Sequence, residues 1–274
     1  MRSVMLAIVF VLGIVGPVVA EREADLNRLS EILLVDDMIE ILSDEGMQYG
    51  ETLGMELFDG RGDADWERRL TAIYSQDRMK AEFRASFDPL LSDETLAAAL
   101  AFFTTPFGEK LVRLEMSARL AISDPDVNAA SEARLKAMIR NNDPLLPRIR
   151  EYIKVYDLID MNVASSMNET FEFLSAMGDM GALTDDMTES AILADVWQDE
   201  PQIRADTTEW LMTYLTMSYS PLSEDEMTKN IAFGRTDAGR QFNNAMFKAF
   251  GDVYAEISRK LGRAAAGYIL SEDI

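Results

Sequence analysis

The chain of 274 residues contains no cysteine and no histidine. The first absence removes disulfides, thiol nucleophiles, Cys/His zinc sites, iron–sulfur clusters, covalently attached haem and the lipid-bearing cysteine of a lipoprotein. The second removes the one side chain whose unperturbed pKa lies near neutrality, and with it the commonest general base and any Ser-His-Asp hydrolysis. Carboxylate chemistry, Ser-Lys chemistry and oxygen-ligand metal binding survive, but the sequence has neither a Ser-x-x-Lys signature nor a Gly-rich phosphate loop. Positive charge is scarce: 26 Lys and Arg stand against 48 Asp and Glu, for a formal net charge of −22. Such a field repels nucleic acid and anionic lipid headgroups, leaving cationic partners or plain solubility. Beyond the first twenty residues no apolar run approaches the roughly 20 residues that span a bilayer.

Those first twenty residues read as an address. Arg2 supplies a positive start, Val4 to Val15 is an uncharged apolar run, Gly16-Pro17 breaks it, and Val18-Val19-Ala20 forms a small-residue cleavage site before Glu21. Export to the periplasm with cleavage after Ala20 is the expectation, and an uncleaved N-terminal anchor is the competing one. After cleavage no stable membrane insertion is expected. A cysteine-free exported chain must bury its core without disulfides, and a composition of 48% hydrophobic against 27% charged residues suits a globular protein.

After residue 25 the apolar spacing is helical almost throughout, with no sustained alternation of strand length. Leu26, Leu29, Ile32 and Leu33 share a face that continues through Met38, Ile39 and Leu42, and Ile149 to Phe171 form the longest amphipathic stretch. Between Trp66 and Phe87 the spacing slips near Ser75 to Asp77, which divides that segment in two.

The chain also matches itself. Leu91-Ser92-Asp93-Glu94-Thr95-Leu96 and Leu222-Ser223-Glu224-Asp225-Glu226-Met227 open two segments that run in step at an offset of 131 through Phe102/Phe233, Thr105/Thr236, Gly108/Gly239 and Leu111/Phe242. Ser92 and Ser223 stand at N-cap positions, followed by acidic residues that suit the helix dipole, and Glu226 completes a Ser-x-x-Glu capping box. A second helix begins at Thr105-Pro106 and at Thr236-Asp237, so each unit predicts an αα-hairpin. Gly108 and Gly239 fall in the first turn of that second helix, where glycine costs roughly 1 kcal/mol relative to alanine. Their presence predicts close approach of another backbone. A further match, Val35 to Met47 against Val155 to Met167, has an offset of 120. Asn141-Asn142-Asp143-Pro144 then marks a boundary near residue 146. The expected architecture is all-α: a signal peptide over 1–20 and a helical bundle built from two duplicated helical halves, 21–146 and 147–274, each containing an αα-hairpin.

The segment Leu91 to Leu111, with Ala101-Phe102-Phe103-Thr104-Thr105-Pro106-Phe107-Gly108-Glu109-Lys110 at its centre, resembles a bacterial exported family known as domain of unknown function 2059. Pro106, Gly108 and Lys110 match that family's pattern, while Phe103 replaces the usual Tyr and Thr105 the usual Ser. The second copy departs further, with Gly234, Asp237 and Gln241 in place of the aromatic, the Pro and the Lys. The resemblance implies an exported helical protein and no assigned biochemistry.

Candidate chemistry is sparse. Asp59-Gly60-Arg61-Gly62-Asp63-Ala64-Asp65-Trp66-Glu67 is oxygen-rich, but its order is not that of an EF-hand, and a capped helix start explains it more simply. Met177 and Met180 form a Met-x-x-Met that suits copper(I), against the simpler reading of core packing. No catalytic residue, cofactor or metal is therefore expected. Phe102, Phe103, Phe107, Phe233, Phe242, Phe247 and Phe250 are expected to form the seam between the halves or, if exposed, a groove for an amphipathic helix. The leading expectation is a non-enzymatic protein-interaction or sequestration module, with another protein, or the second half of its own repeat, as partner. The alternative is a binder of a hydrophobic or cationic small molecule between the halves, signalled by an internal cavity lined by Phe and Met. A weaker one is a carboxylate-dependent envelope hydrolase, which needs two converging carboxyls.

Overall fold

Capping decides where the helices of this chain begin. A computed structural model describes residues 16–58, 64–184 and 186–272, which form α-helices and, among the described residues, no strand. In order they are α1 (Gly16–Ile32), α2 (Val35–Leu57), α3 (Ala64–Ile73), α4 (Gln76–Leu90), α5 (Asp93–Phe103), α6 (Pro106–Ile122), α7 (Pro125–Arg140), α8 (Leu145–Val155), α9 (Leu158–Asp179), α10 (Glu189–Tyr219), α11 (Glu224–Gly234) and α12 (Asp237–Glu272). Most of the leader and residues 59–63 of the oxygen-rich loop lie outside the described residues, while Gly16 and Pro17 open α1. No helix among the described residues is long and apolar enough to cross a membrane.

Both hairpins start with the devices their sequences carry. Ser92 Oγ accepts from Thr95 N at 3.1 Å, and Ser223 Oγ accepts from Glu226 N at 3.2 Å while the Glu226 carboxylate accepts from Ser223 N at 2.8 Å. At the corners, Thr105 Oγ1 accepts from Gly108 N and donates to Phe102 O, and Thr236 Oγ1 accepts from Gly239 N and donates to Phe233 O. The hydroxyl thus ties the end of one helix to the start of the next. The two glycines meet the close approach expected of them: a Cβ on Gly108 would stand 2.4 Å from Phe102 O, and one on Gly239 only 2.0 Å from Phe233 O.

Two expected continuities break. The face from Leu26 to Leu42 is interrupted at Leu33-Leu34, and the long stretch from Ile149 to Phe171 is interrupted at Tyr156-Asp157, so the longest helices are α12 and α10. Leu34 (φ 54°) and Asp157 (φ 52°) both adopt the left-handed conformation, which costs an L-residue roughly 1–2 kcal/mol and leaves no trace in apolar spacing. Packing offsets that cost, as α1 folds onto α5 and α8 onto α11. The two turns share one hydrogen-bond pattern: Leu33, Leu34 and Met38 donate to Leu29, Glu31 and Leu34, and Tyr156, Asp157 and Met161 donate to Tyr152, Lys154 and Asp157. The two turns lie 123 residues apart, against the offset of 120 in the sequence match.

Gly46, Gly50 and Gly54 recur every fourth residue along one face of α2. A Cβ at each would fall within 2.1, 2.4 and 2.5 Å of Tyr74, Leu70 and Trp66 respectively, so the bare backbone is the groove that receives α3. Trp66 Nε1 donates to Gly50 O at 3.0 Å. A helix face without side chains lets the axes approach closely and leaves the carbonyls open to such a bond.

The long helix α12 lies along α9 and across α4, α5, α3 and α2, while α6 packs on α10. One core accordingly gathers Leu29, Ile39, Phe83 and Phe87 with Ala249, Val253 and Leu261 of α12. A second gathers Ile149, Leu215, Tyr219 and Ile231 with Leu111 of α6. Each predicted half lends its hairpin's second helix to the other half's core. Where α12 is continuous, its sequence counterpart is interrupted between α6 and α7 at Ser123-Asp124, with Asp124 capping α7 and Pro125 at its first position.

Candidate functional site

The meeting of the two hairpins is reciprocal. Phe102 and Phe233, which hold matching positions in sequence, stack on each other at 4.1 Å and 10°. Lys110 Nζ lies 2.7 Å from Glu226, and the residues that match these two, Gln241 and Thr95, are themselves bonded at 2.7 Å. Residue i of one segment meets residue j of the other, and the converse pair also meets, so the contact is reciprocal. Phe102 and Phe233 stack within that contact.

The seven candidate phenylalanines divide around it. Phe103 packs edge-on against both stacked rings and at 5.2 Å from Phe242, while Phe107 lies 5.9 Å from Phe102. Phe250 is reached through Phe83, at 4.7 Å. Phe247 is turned away and packs against the second core. On the outer side, the half-buried rings of Phe102, Phe107 and Phe233 floor an open dish of about 520 Å³, rimmed by Thr105, Thr236 and Lys229.

On the inner side of Phe233 lies a cavity of about 200 Å³ between α2, α6, α8, α11 and α12. Its wall is mostly apolar and aromatic, with Met38, Leu111, Phe103, Phe233, Phe242, Met246 and Phe250, and it carries a polar cluster of Glu115, Tyr152, Tyr156, Asn230 and Asn243. Phe233 separates dish from cavity. Tyr219 donates to the Glu115 carboxylate from α10, and Tyr214 Oη donates to the Glu115 carbonyl at 3.0 Å. Glu115 keeps some accessible area because it lines the cavity, while protein atoms surround its carboxyl. Burial pushes that carboxyl from its ordinary 4.5 up to about 7, and the Tyr219 hydroxyl offsets only part of the rise. Burial also holds Tyr152, Tyr156 and Tyr219 as neutral phenols. Tyr156 Oη donates to Asn230 O at 3.0 Å, and Asn243 Nδ2 donates to Tyr156 O at 3.0 Å. Asn230 is 1% exposed, yet its Nδ2 has no partner. An unpaired buried amide costs roughly 1–3 kcal/mol. It is a polar group held ready inside an apolar wall.

Sequence reasoning missed Glu115 and Asn230, although both carry a signal. Glu115 sits among Leu111, Ala118 and Ile122 on the buried stripe of α6, and Asn230 beside Met227, Ile231 and Gly234 on that of α11. A polar residue on an apolar stripe is the mark. Of the other candidates, Met177 is buried while Met180 is 46% exposed, so the two thioethers occupy different environments. Asp65 lies 2.8 Å from both Arg68 and Arg69. Among the described residues, no group of three or more Asp and Glu is placed to hold a metal ion. A separate groove of about 770 Å³ opens between α7, α8, α9 and α10, with an apolar floor and a rim where Glu132, Asp157, Asp160 and Glu209 balance Lys136, Arg150, Lys154 and Arg204.

A family model described as an uncharacterised protein conserved in bacteria (DUF2059) matches residues 77–137, from the first turn of α4 into α7. The match contains the first hairpin, with Phe102, Phe103, Phe107 and Glu115. No curated protein and no solved structure matches the chain.

Proposed function

We propose that this is a non-enzymatic periplasmic binding protein that holds a small, largely apolar molecule in the cavity between two duplicated halves. The observation that carries the reading is the Phe- and Met-lined cavity beside the seam, with a buried carboxyl and the unpartnered Asn230 amide in its wall. An engineered apolar cavity of about 150 Å³ suffices for benzene, so about 200 Å³ suits a ring with a short polar substituent. The reciprocal Lys110/Glu226 and Thr95/Gln241 contacts support duplication of a unit that packs on its own copy, with the second copy degenerate. Among the described residues Glu115 is the one carboxylate in the wall, which supports binding over two-carboxylate hydrolysis.

Periplasmic location rests on the leader-like first twenty residues. Processing after Ala20 would shorten α1 but keep Arg22, which bonds the carbonyls of Asp88 and Leu91 at 3.0 and 2.7 Å and so closes the end of α4. A second reading, docking of an amphipathic helix on the dish, draws on the half-exposed rings of Phe102, Phe107 and Phe233.

Native mass spectrometry of the protein purified gently from periplasm tests the first reading. The expected result is residues 21–274 plus a small adduct, which is absent from Val112→Phe, a substitution that puts a ring into the cavity. A bare chain in every preparation, combined with no binding of small aromatic probes, would sink it, and a co-purifying polypeptide would favour the dish.

A further inference from the structure

Resting on that reading of the cavity, we propose that its ligand is a small organic cation, an amine on an aromatic or aliphatic body, with Glu115 as its counter-ion. Among the described residues, Glu115 carries the one formal charge in the wall, and no lysine or arginine shifts its titration. The groups that face it are phenols held neutral by burial: Tyr219 and Tyr214 from α10, and Tyr152 and Tyr156 from α8. A buried carboxylate without a cation is costly, and a ligand that brings one removes the cost. The remaining wall suits the same guest, since the faces of aromatic rings such as Phe103, Phe233 and Phe242 attract ammonium groups within about 6 Å. An anionic ligand would meet repulsion both from Glu115 and from the net charge of −22, which instead concentrates cations around the protein.

Without ligand the carboxyl holds its proton up to near neutrality, and a protonated amine binds the ionised form, so binding releases a proton. The test is isothermal titration of the mature protein with benzylamine and with benzyl alcohol, which match in size and differ in charge. With a carboxyl that titrates near 7, the ionised fraction is about 3% at pH 5.5 and about 90% at pH 8, so benzylamine binds about thirtyfold more tightly at the higher pH. Benzyl alcohol shows no such rise. In Glu115→Gln, benzyl alcohol still binds, reporting an intact cavity, while benzylamine loses its pH dependence and weakens about tenfold or more at pH 8. Equal binding of both probes at both pH values overturns the cation assignment and leaves the cavity as a site for neutral guests. Binding of neither probe overturns the cavity reading itself.

Discussion

Replacing Glu115 by glutamine in the ligand-free protein should stabilise it, and only at high pH. The wild-type carboxyl titrates near 7 in the fold and near 4.5 when unfolded, with burial as the main cause. An acid whose folded pKa is raised favours folding fully below its unfolded value, and that advantage is lost as pH rises through the folded one. At ~1.4 kcal/mol per pKa unit, the gap from 4.5 to about 7 corresponds to at most about 3.5 kcal/mol. Glutamine retains an oxygen for the Tyr219 hydroxyl and never ionises. Wild type and Glu115→Gln should therefore melt together near pH 4.5, whereas at pH 8.5 the variant should melt higher. For a domain of this size ~1 kcal/mol moves Tm by roughly 2–4 °C, so the separation should reach at most roughly 7–14 °C. Paired thermal scans by circular dichroism across that range would show it, because the difference curve cancels the other acidic residues. A difference that did not vary with pH, or a variant less stable at pH 8.5, would refute the claim that Glu115 is an uncompensated buried acid.

Two further outcomes follow from the seam. Gly108→Ala and Gly239→Ala should each lower stability by about 1–3 kcal/mol in urea titrations, although alanine is the better helix former, because the new methyl meets the rigid carbonyls of Phe102 and Phe233. In a double-mutant cycle, Phe102→Ala and Phe233→Ala should show a coupling of about 0.5–1.5 kcal/mol, as stacked rings at 4.1 Å require, and simple additivity would deny the contact.

The parts of the fold legible in sequence are those encoded within a few neighbouring residues. Ser92, Thr105, Ser223 and Thr236 announce helix starts because a cap bonds an amide two or three positions away, and the structure places each at a cap. Gly108 and Gly239 were equally legible, since the carbonyl they approach lies six residues back in the same corner. The left-handed turns at Leu34 and Asp157 were not. Neither residue type requires that conformation, and apolar spacing passes over it unchanged. The Gly46, Gly50 and Gly54 groove was visible as a four-residue spacing, but its meaning depends on Trp66, Leu70 and Tyr74 arriving from another helix. For the site, the sequence singled out seven phenylalanines, of which Phe102 and Phe233 stack on each other while Phe247 packs elsewhere, and left Glu115 as one acid among 48.

What the sequence determined by itself is the all-helical class, the starts of the two hairpins, their matching spacing, the strongly negative charge and the loss of imidazole and thiol chemistry. All of these are local or additive properties. The tertiary structure alone decided that α12 enters the core of α2 and α4 while α6 enters that of α8, α10 and α11, that Phe102 meets Phe233, and that a carboxyl, four phenols and an unpaired amide converge beside a cavity. Those facts depend on residues far apart in the chain being brought into contact, 74 positions for Tyr156 and Asn230 and 178 for Glu82 and Lys260. Burial then changes their chemistry: an acid that would be ionised in the unfolded chain becomes a group that titrates near neutrality, because the surrounding protein excludes the water that would stabilise its charge.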